Sequence, residues 1–177
     1  LAKKPKVVEL SYKVKYGMEK WAIKEIAKKN PYLTIRMVED IINQILEHVY
    51  TLVLKDMTWW IKRFVPKMTG RLRFDFWSYL QQSTVKKTKL TIILRTTQLY
   101  GKWVNKMKTS QVRHKGKKVT VDGIEFTLYD PQAIGGFFEK MVDATIKSIE
   151  MNLKKIKSKF ARKTKLKYKE MKIVGLW

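Results

Sequence analysis

A chain of 177 residues that is 45% hydrophobic and 12% aromatic is long enough for one domain with a real core, and too apolar for a generally disordered segment. Its 39 Lys plus Arg stand against 15 Asp plus Glu, a net charge of +24 that directs attention to polyanions or acidic protein partners. The absence of Cys excludes disulfides, thiolate metal sites and cysteine nucleophiles; the 2 His cannot make a metal centre alone, and no run approaches the ~20 apolar residues of a membrane span.

The basic residues divide into 32 Lys and 7 Arg. Arg is the usual residue for bidentate recognition of bases and phosphates, so this excess of Lys favours a solvating or assembly-related charge over sequence-specific readout.

In chain order, residues 1–17 read as an amino-terminal arm, with Val8, Leu10, Tyr12 and Val14 alternating against polar neighbours, able to add a strand to a sheet. The opening Leu1 suggests a trimmed start, and Lys3, Lys4 and Lys6 lead into too short an apolar run for a secretory signal. A short helix is expected over Met18 to Lys29, ended by Asn30-Pro31. A long one follows from Thr34 to Phe64, where Ile35, Val38, Ile42, Ile45, Val49, Leu52, Met57, Ile61 and Phe64 keep a helical period. Near its end stand Trp59 and Trp60, which as sequence neighbours cannot both face one core.

Pro66 forbids normal continuation of that helix, and Thr69-Gly70 supplies a turn. Beyond it the pattern reads as a strand, with Leu72, Phe74 and Phe76 projecting one way and Arg71, Arg73 and Asp75 the other. Residues 82–87 are read as a turn, and Lys89 to Thr97, with its Leu-Thr-Ile-Ile-Leu run, as a central strand. Tyr100 to Val104 suits a short helix or bend, and Lys106 to Lys118 an exposed basic loop. Asp122-Gly123 between two alternating runs signals a hairpin. After Asp130-Pro131 and Gly135-Gly136, a second long helix is expected from Phe138, able to lie along the first or across the sheet. The fold class is therefore α+β, an antiparallel sheet packed against two long helices. The domain spans residues 18–160, and a basic tail at 161–177 ends in Trp177, suited to docking on a neighbour.

No catalytic constellation is present. His48 lies in the long helix far in sequence from His114, Asp122 is a turn residue, Glu39, Asp40 and Glu47 are helical surface acids, and Gly135-Gly136 lacks the spacing of a phosphate-binding loop. No enzyme activity, cofactor or metal is expected.

The order of elements, with Pro66, Thr69, Gly70, Leu72 and Arg73 after a long helix and Tyr100, Gly101, Trp103 and Val104 as a second motif, resembles the tail-completion (head-tail joining, neck) family of tailed bacteriophages. The resemblance covers roughly Met18 to Phe160. The chain departs from the family pattern at Asp75, where a small hydroxyl residue is usual, and at Asn105, Met107 and Lys108, where an acidic residue and Gly-Thr are usual. The Arg-Pro-rich approach to the last helix is reduced to Asp130-Pro131.

The resemblance implies a structural virion protein, assembled in the host cytoplasm. It implies a homo-oligomeric ring of six subunits between the head connector or adaptor protein and the tail-tube or tail-terminator protein. Double-stranded DNA passes through such a ring in transit, and no membrane is involved. Candidate subunit or partner contacts are Arg71, Arg73, Trp59, Trp60, Tyr100, Trp103 and Trp177. The rival reading is a basic nucleic-acid-binding protein that uses Arg113, Lys115, Lys117 and Lys118 and the helix end Lys154, Lys155, Arg162 and Lys163 against phosphates.

Overall fold

The computed structural model describes residues 10–67, 70–113, 116–121, 123–128 and 130–167, with side chains of the last helix described as far as Ile156. Among them the elements run β1 (Leu10–Gly17), α1 (Lys20–Lys29), α2 (Ile35–Phe64), α3 (Arg71–Leu80), β2 (Thr84–Lys86), β3 (Lys89–Thr96), α4 (Leu99–Lys106), α5 (Thr109–Val112), β4 (Lys117–Val121), β5 (Ile124–Leu128) and α6 (Phe137–Lys167). The class is α+β. The layout expected from the sequence needs correction: six helices are described rather than two, and the long pair packs mainly on itself.

α2 begins where Thr34, in extended conformation, accepts the Met37 amide on Oγ1 at 3.2 Å. Its 30 residues bury Val38, Ile42, Ile45, Leu46, Val49, Val53, Met57 and Ile61 along one stripe. It ends at Val65, which is extended as the residue before a proline must be. α6 lies antiparallel along it. Met57 Sδ is 2.9 Å from Thr145 Oγ1, and Asp56 accepts from Ser148 Oγ at 2.6 Å and from Asn152 Nδ2 at 3.1 Å. A polar seam of this kind fixes the register that apolar side chains alone leave loose.

β1, β3 and β2 form an antiparallel sheet in that order, so the amino-terminal arm does add a strand and β3 is central. On one face Leu90, Ile92 and Leu94 of β3 and Val14 of β1 enter the core. β4 and β5 form the separate hairpin signalled by Asp122-Gly123, with Gly123 at φ 79; Asp122 lies outside the described residues.

The expected strand at Leu72 to Phe76 is a helix. The run satisfies both periods, since Leu72, Phe74 and Phe76 alternate while Leu72, Phe76 and Leu80 are four apart. The helical set is the buried one, and Phe74 is 66% exposed on the opposite side. Gly70, at φ 83, turns the chain into α3 from the left-handed region that glycine enters without cost. Arg71 and Arg73 consequently share no strand face. The turn read at 82–87 is also corrected: Thr84 to Lys86 pair with β3, and the turn is Lys87-Thr88, both at positive φ. Inside the expected loop Lys106 to Lys118, α5 forms one short turn and β4 already begins at Lys117.

Candidate functional site

The two motif segments named from the sequence meet in one buried junction. Gly70 has no side chain with which to cap α3, leaving the first amides of that helix in need of acceptors. Tyr100, from the first turn of α4, fills this role: its hydroxyl accepts the Leu72 amide at 2.9 Å. Leu72 also packs against Gly101, where a Cβ would come within 3.0 Å of Leu72 Cδ1. Asp75 serves the same junction, accepting from Thr96 Oγ1 at 2.7 Å and from the Thr97 amide at 2.6 Å, so it ties α3 to the end of β3.

Arg73 projects from α3 toward the segment that ends α2. Its Nε donates to the Val65 carbonyl at 2.7 Å and its Nη2 pairs with Asp130, whose Oδ2 also accepts the Lys67 amide at 3.1 Å. Burial lowers the Arg73 pKa from its ordinary value, and the Asp130 charge opposes that shift. This pair staples the Pro66 bend to the approach of α6, so the Arg73 guanidinium is engaged within its own chain.

Asn105 supplies the next link. Its Oδ1 accepts the Phe138 amide at 2.8 Å, its Nδ2 donates to Glu139 at 3.0 and 3.1 Å, and its carbonyl accepts the Gly136 amide at 2.9 Å. A residue of α4 thus caps the amino end of α6. Gly135 passes so close to the α4–α5 connection that a Cβ would lie 2.0 Å from the Met107 carbonyl oxygen. Asp75 and Asn105, two of the positions at which the resemblance is imperfect, and Asp130 each hold part of this junction. Sequence reading missed their roles because the partners that join these elements come from distant segments.

The helices also carry exposed aromatic side chains. Trp21 on α1, Trp59 on α2, Trp77 on α3 and Trp103 on α4 are 71%, 54%, 41% and 52% exposed. Phe74 and Trp77 stack at 5.9 Å, Arg63 lies 5.1 Å over Trp59, and Lys106 lies 6.0 Å from the ring centre of Trp103. Trp60 is the half-buried member of the adjacent pair, and a groove of about 320 Å³ runs beside the two rings, lined also by Asp56 and Ser148.

The other sequence candidates are dispersed. Pro66 is buried, and Arg71 is exposed at the start of α3. Arg113 donates from Nε to the Ala133 carbonyl at 2.7 Å, and Lys118 pairs with Glu125 at 3.0 Å. Lys117 falls in β4, Lys154 and Lys155 are exposed on α6, and Arg162 and Lys163 fall within its span. Thr69, Lys115 and Trp177 lie outside the described residues. Among the described residues no cluster of His, Asp and Glu could hold a metal ion, and no helix is long and apolar enough to cross a membrane. Compared with protein-family models, with curated proteins and with solved structures, the chain matches none.

Proposed function

We propose that this chain is a structural, non-catalytic subunit of the neck of a tailed bacteriophage. It forms a six-membered ring between the head connector or adaptor and the tail tube or its terminator, through which duplex DNA passes. The reading comes from the resemblance of Pro66 to Arg73 and of Tyr100 to Val104, and it is supported by their convergence: two segments that look like family motifs form a common junction.

The observation that carries the assembly is the set of four exposed tryptophans. Trp is highly buried on average, so four indole rings left 41–71% exposed invite a partner. Interfaces are enriched in Trp, Phe and Arg, the residues found at Trp59, Arg63, Phe74 and Trp77. Their spread over four helices suits a ring, in which each subunit presents two unlike surfaces to its neighbours. Negative-stain images of the purified protein test the reading. Annular particles with a central pore agree with it, and a field of uniformly small, poreless particles contradicts it.

A further inference from the structure

The solvent face of the three-stranded sheet carries a basic array that the sequence pattern did not separate from the general positive charge. Directly paired residues of antiparallel strands share a face. The register sets Ser11 opposite Arg95, Lys13 opposite Ile93, Lys15 opposite Thr91, Thr91 opposite Thr84, and Lys89 opposite both Gly17 and Lys86. Lys13, Lys15, Lys86 and Lys89 are all exposed, and the hydroxyls of Ser11, Thr84 and Thr91 stand among them. Arg95 lies over the Tyr79 ring at 5.0 Å. At the end of this face Lys89 pairs with Glu19 at 2.9 Å.

The array works against the stability of the sheet that bears it. Lys86 faces Lys89 across the hairpin, and like charges directly opposite each other are unfavourable. The connecting turn is strained as well, because Lys87 and Thr88 occupy the left-handed region at φ 50 and 62, where Asn-Gly is the usual pair. Contacts from elsewhere hold it: Asn43 Oδ1 accepts the Thr88 amide at 2.9 Å, and Thr88 Oγ1 donates to the Met18 carbonyl at 3.0 Å. These contacts anchor the tip that carries Lys86, Lys87 and Lys89.

We propose that this sheet face binds the phosphate backbone of duplex DNA without reading its sequence. Protein interfaces are depleted in Lys, whereas non-specific DNA binding rests on cations that displace counterions, helped by Ser and Thr hydroxyls on phosphate oxygens. A face of lysines and small hydroxyls fits the second description. It is separate from the basic loop and helix end considered above, and the inference holds for a single subunit whether or not the ring forms.

The test is the anisotropy of a labelled duplex titrated with the full chain over a range of salt. The variant K13Q/K15Q/K86Q/K89Q is compared with K20Q/K24Q/K28Q/K55Q, which removes the same charge from exposed helical sites. Each phosphate contact contributes about 0.9 to the log–log salt slope, so the sheet variant should lose roughly 3 in slope and the helix variant less than about 1. E19Q, which releases Lys89, should tighten binding by about two- to fivefold. Equal losses in the two quadruple variants overturn the proposal. So does displacement of the duplex by poly-glutamate at equal charge, which would assign the face to an acidic protein. Loss of the Lys86–Lys89 opposition favours the fold, and K13Q/K15Q alone, expected to lose about 2 in slope, gives a second reading.

Discussion

The hydroxyl of Tyr100 accepts the backbone amide of Leu72 at 2.9 Å, so α4 provides the cap that Gly70 cannot give α3. Removing the oxygen in Tyr100→Phe keeps the ring and strands a buried amide. The expected cost is about 1–2 kcal/mol, or a fall of roughly 3–6 °C in Tm, measured by urea and thermal unfolding. Leu72→Ala, which empties the contact with Gly101, should cost more, about 2–5 kcal/mol. A Tyr100→Phe protein as stable as the parent would show that the contact does not hold the junction.

Arg73 and Asp130 are both more buried than exposed, with side-chain exposures of 20% and 11%, and they join the end of α2 to the approach of α6. Arg73→Met and Asp130→Asn are each expected to destabilise by about 2–4 kcal/mol, because each leaves a partly buried charge without its partner. The double variant should cost less than the sum, with a coupling of about 1–3 kcal/mol in a double-mutant cycle. Strict additivity would mean that the two side chains act independently.

Two backbone positions should respond with opposite signs. Gly135→Ala drives a Cβ into the Met107 carbonyl and the backbone of Lys108 and Thr109, which cannot swing aside, so a loss of about 3 kcal/mol or more is expected. Lys87→Gly relieves a left-handed lysine at φ 50 and should gain about 0.5–1 kcal/mol. Chemical unfolding of both variants checks the pair, and a stabilised Gly135→Ala would contradict the packing described here.

Much of the helical framework was legible because long apolar stripes admit only one period. α2, from Ile35 to Phe64, lies almost where its pattern and Pro66 place it, and the hairpin β4–β5 follows its Asp-Gly signal. Short amphipathic runs were not legible. Arg71 to Leu80 fits two periods, and the choice was made by Gly70 and by the depth of Leu72, Phe76 and Leu80, which are tertiary facts. The turn Lys87-Thr88 carries no Asn or Gly and is held by Asn43 and Met18, so local chemistry did not announce it. In the candidate site the motif residues were visible as types, but the capping role of Asn105 and the ion pair of Asp130 depend on partners about 30 and 60 residues away. The basic sheet face emerges only once the register is known, since Lys15 and Lys89 are far apart in sequence and are diagonal neighbours in the sheet.

Removing exposed aromatic side chains separates assembly from folding. Trp59→Ala and Trp103→Ala should each leave stability within about 1 kcal/mol of the parent, because surface substitutions away from buried features cost little. Truncation of interface Trp commonly costs 2 kcal/mol or more of association, so at least one variant should weaken the assembly tenfold or more. Sedimentation velocity over a concentration series measures this. Unchanged assembly in both variants would move the subunit contacts to other surfaces.

The most direct measurement is the mass of the purified chain in solution by light scattering, at about 0.1 M and about 1 M salt. The Debye length falls from about 10 Å to about 3 Å between these conditions. A neck ring held by aromatic contacts should give a single mass six times that of the 21.1 kDa chain at both salts. A mass of one subunit at both, at concentrations well above those of virion assembly, would contradict the account.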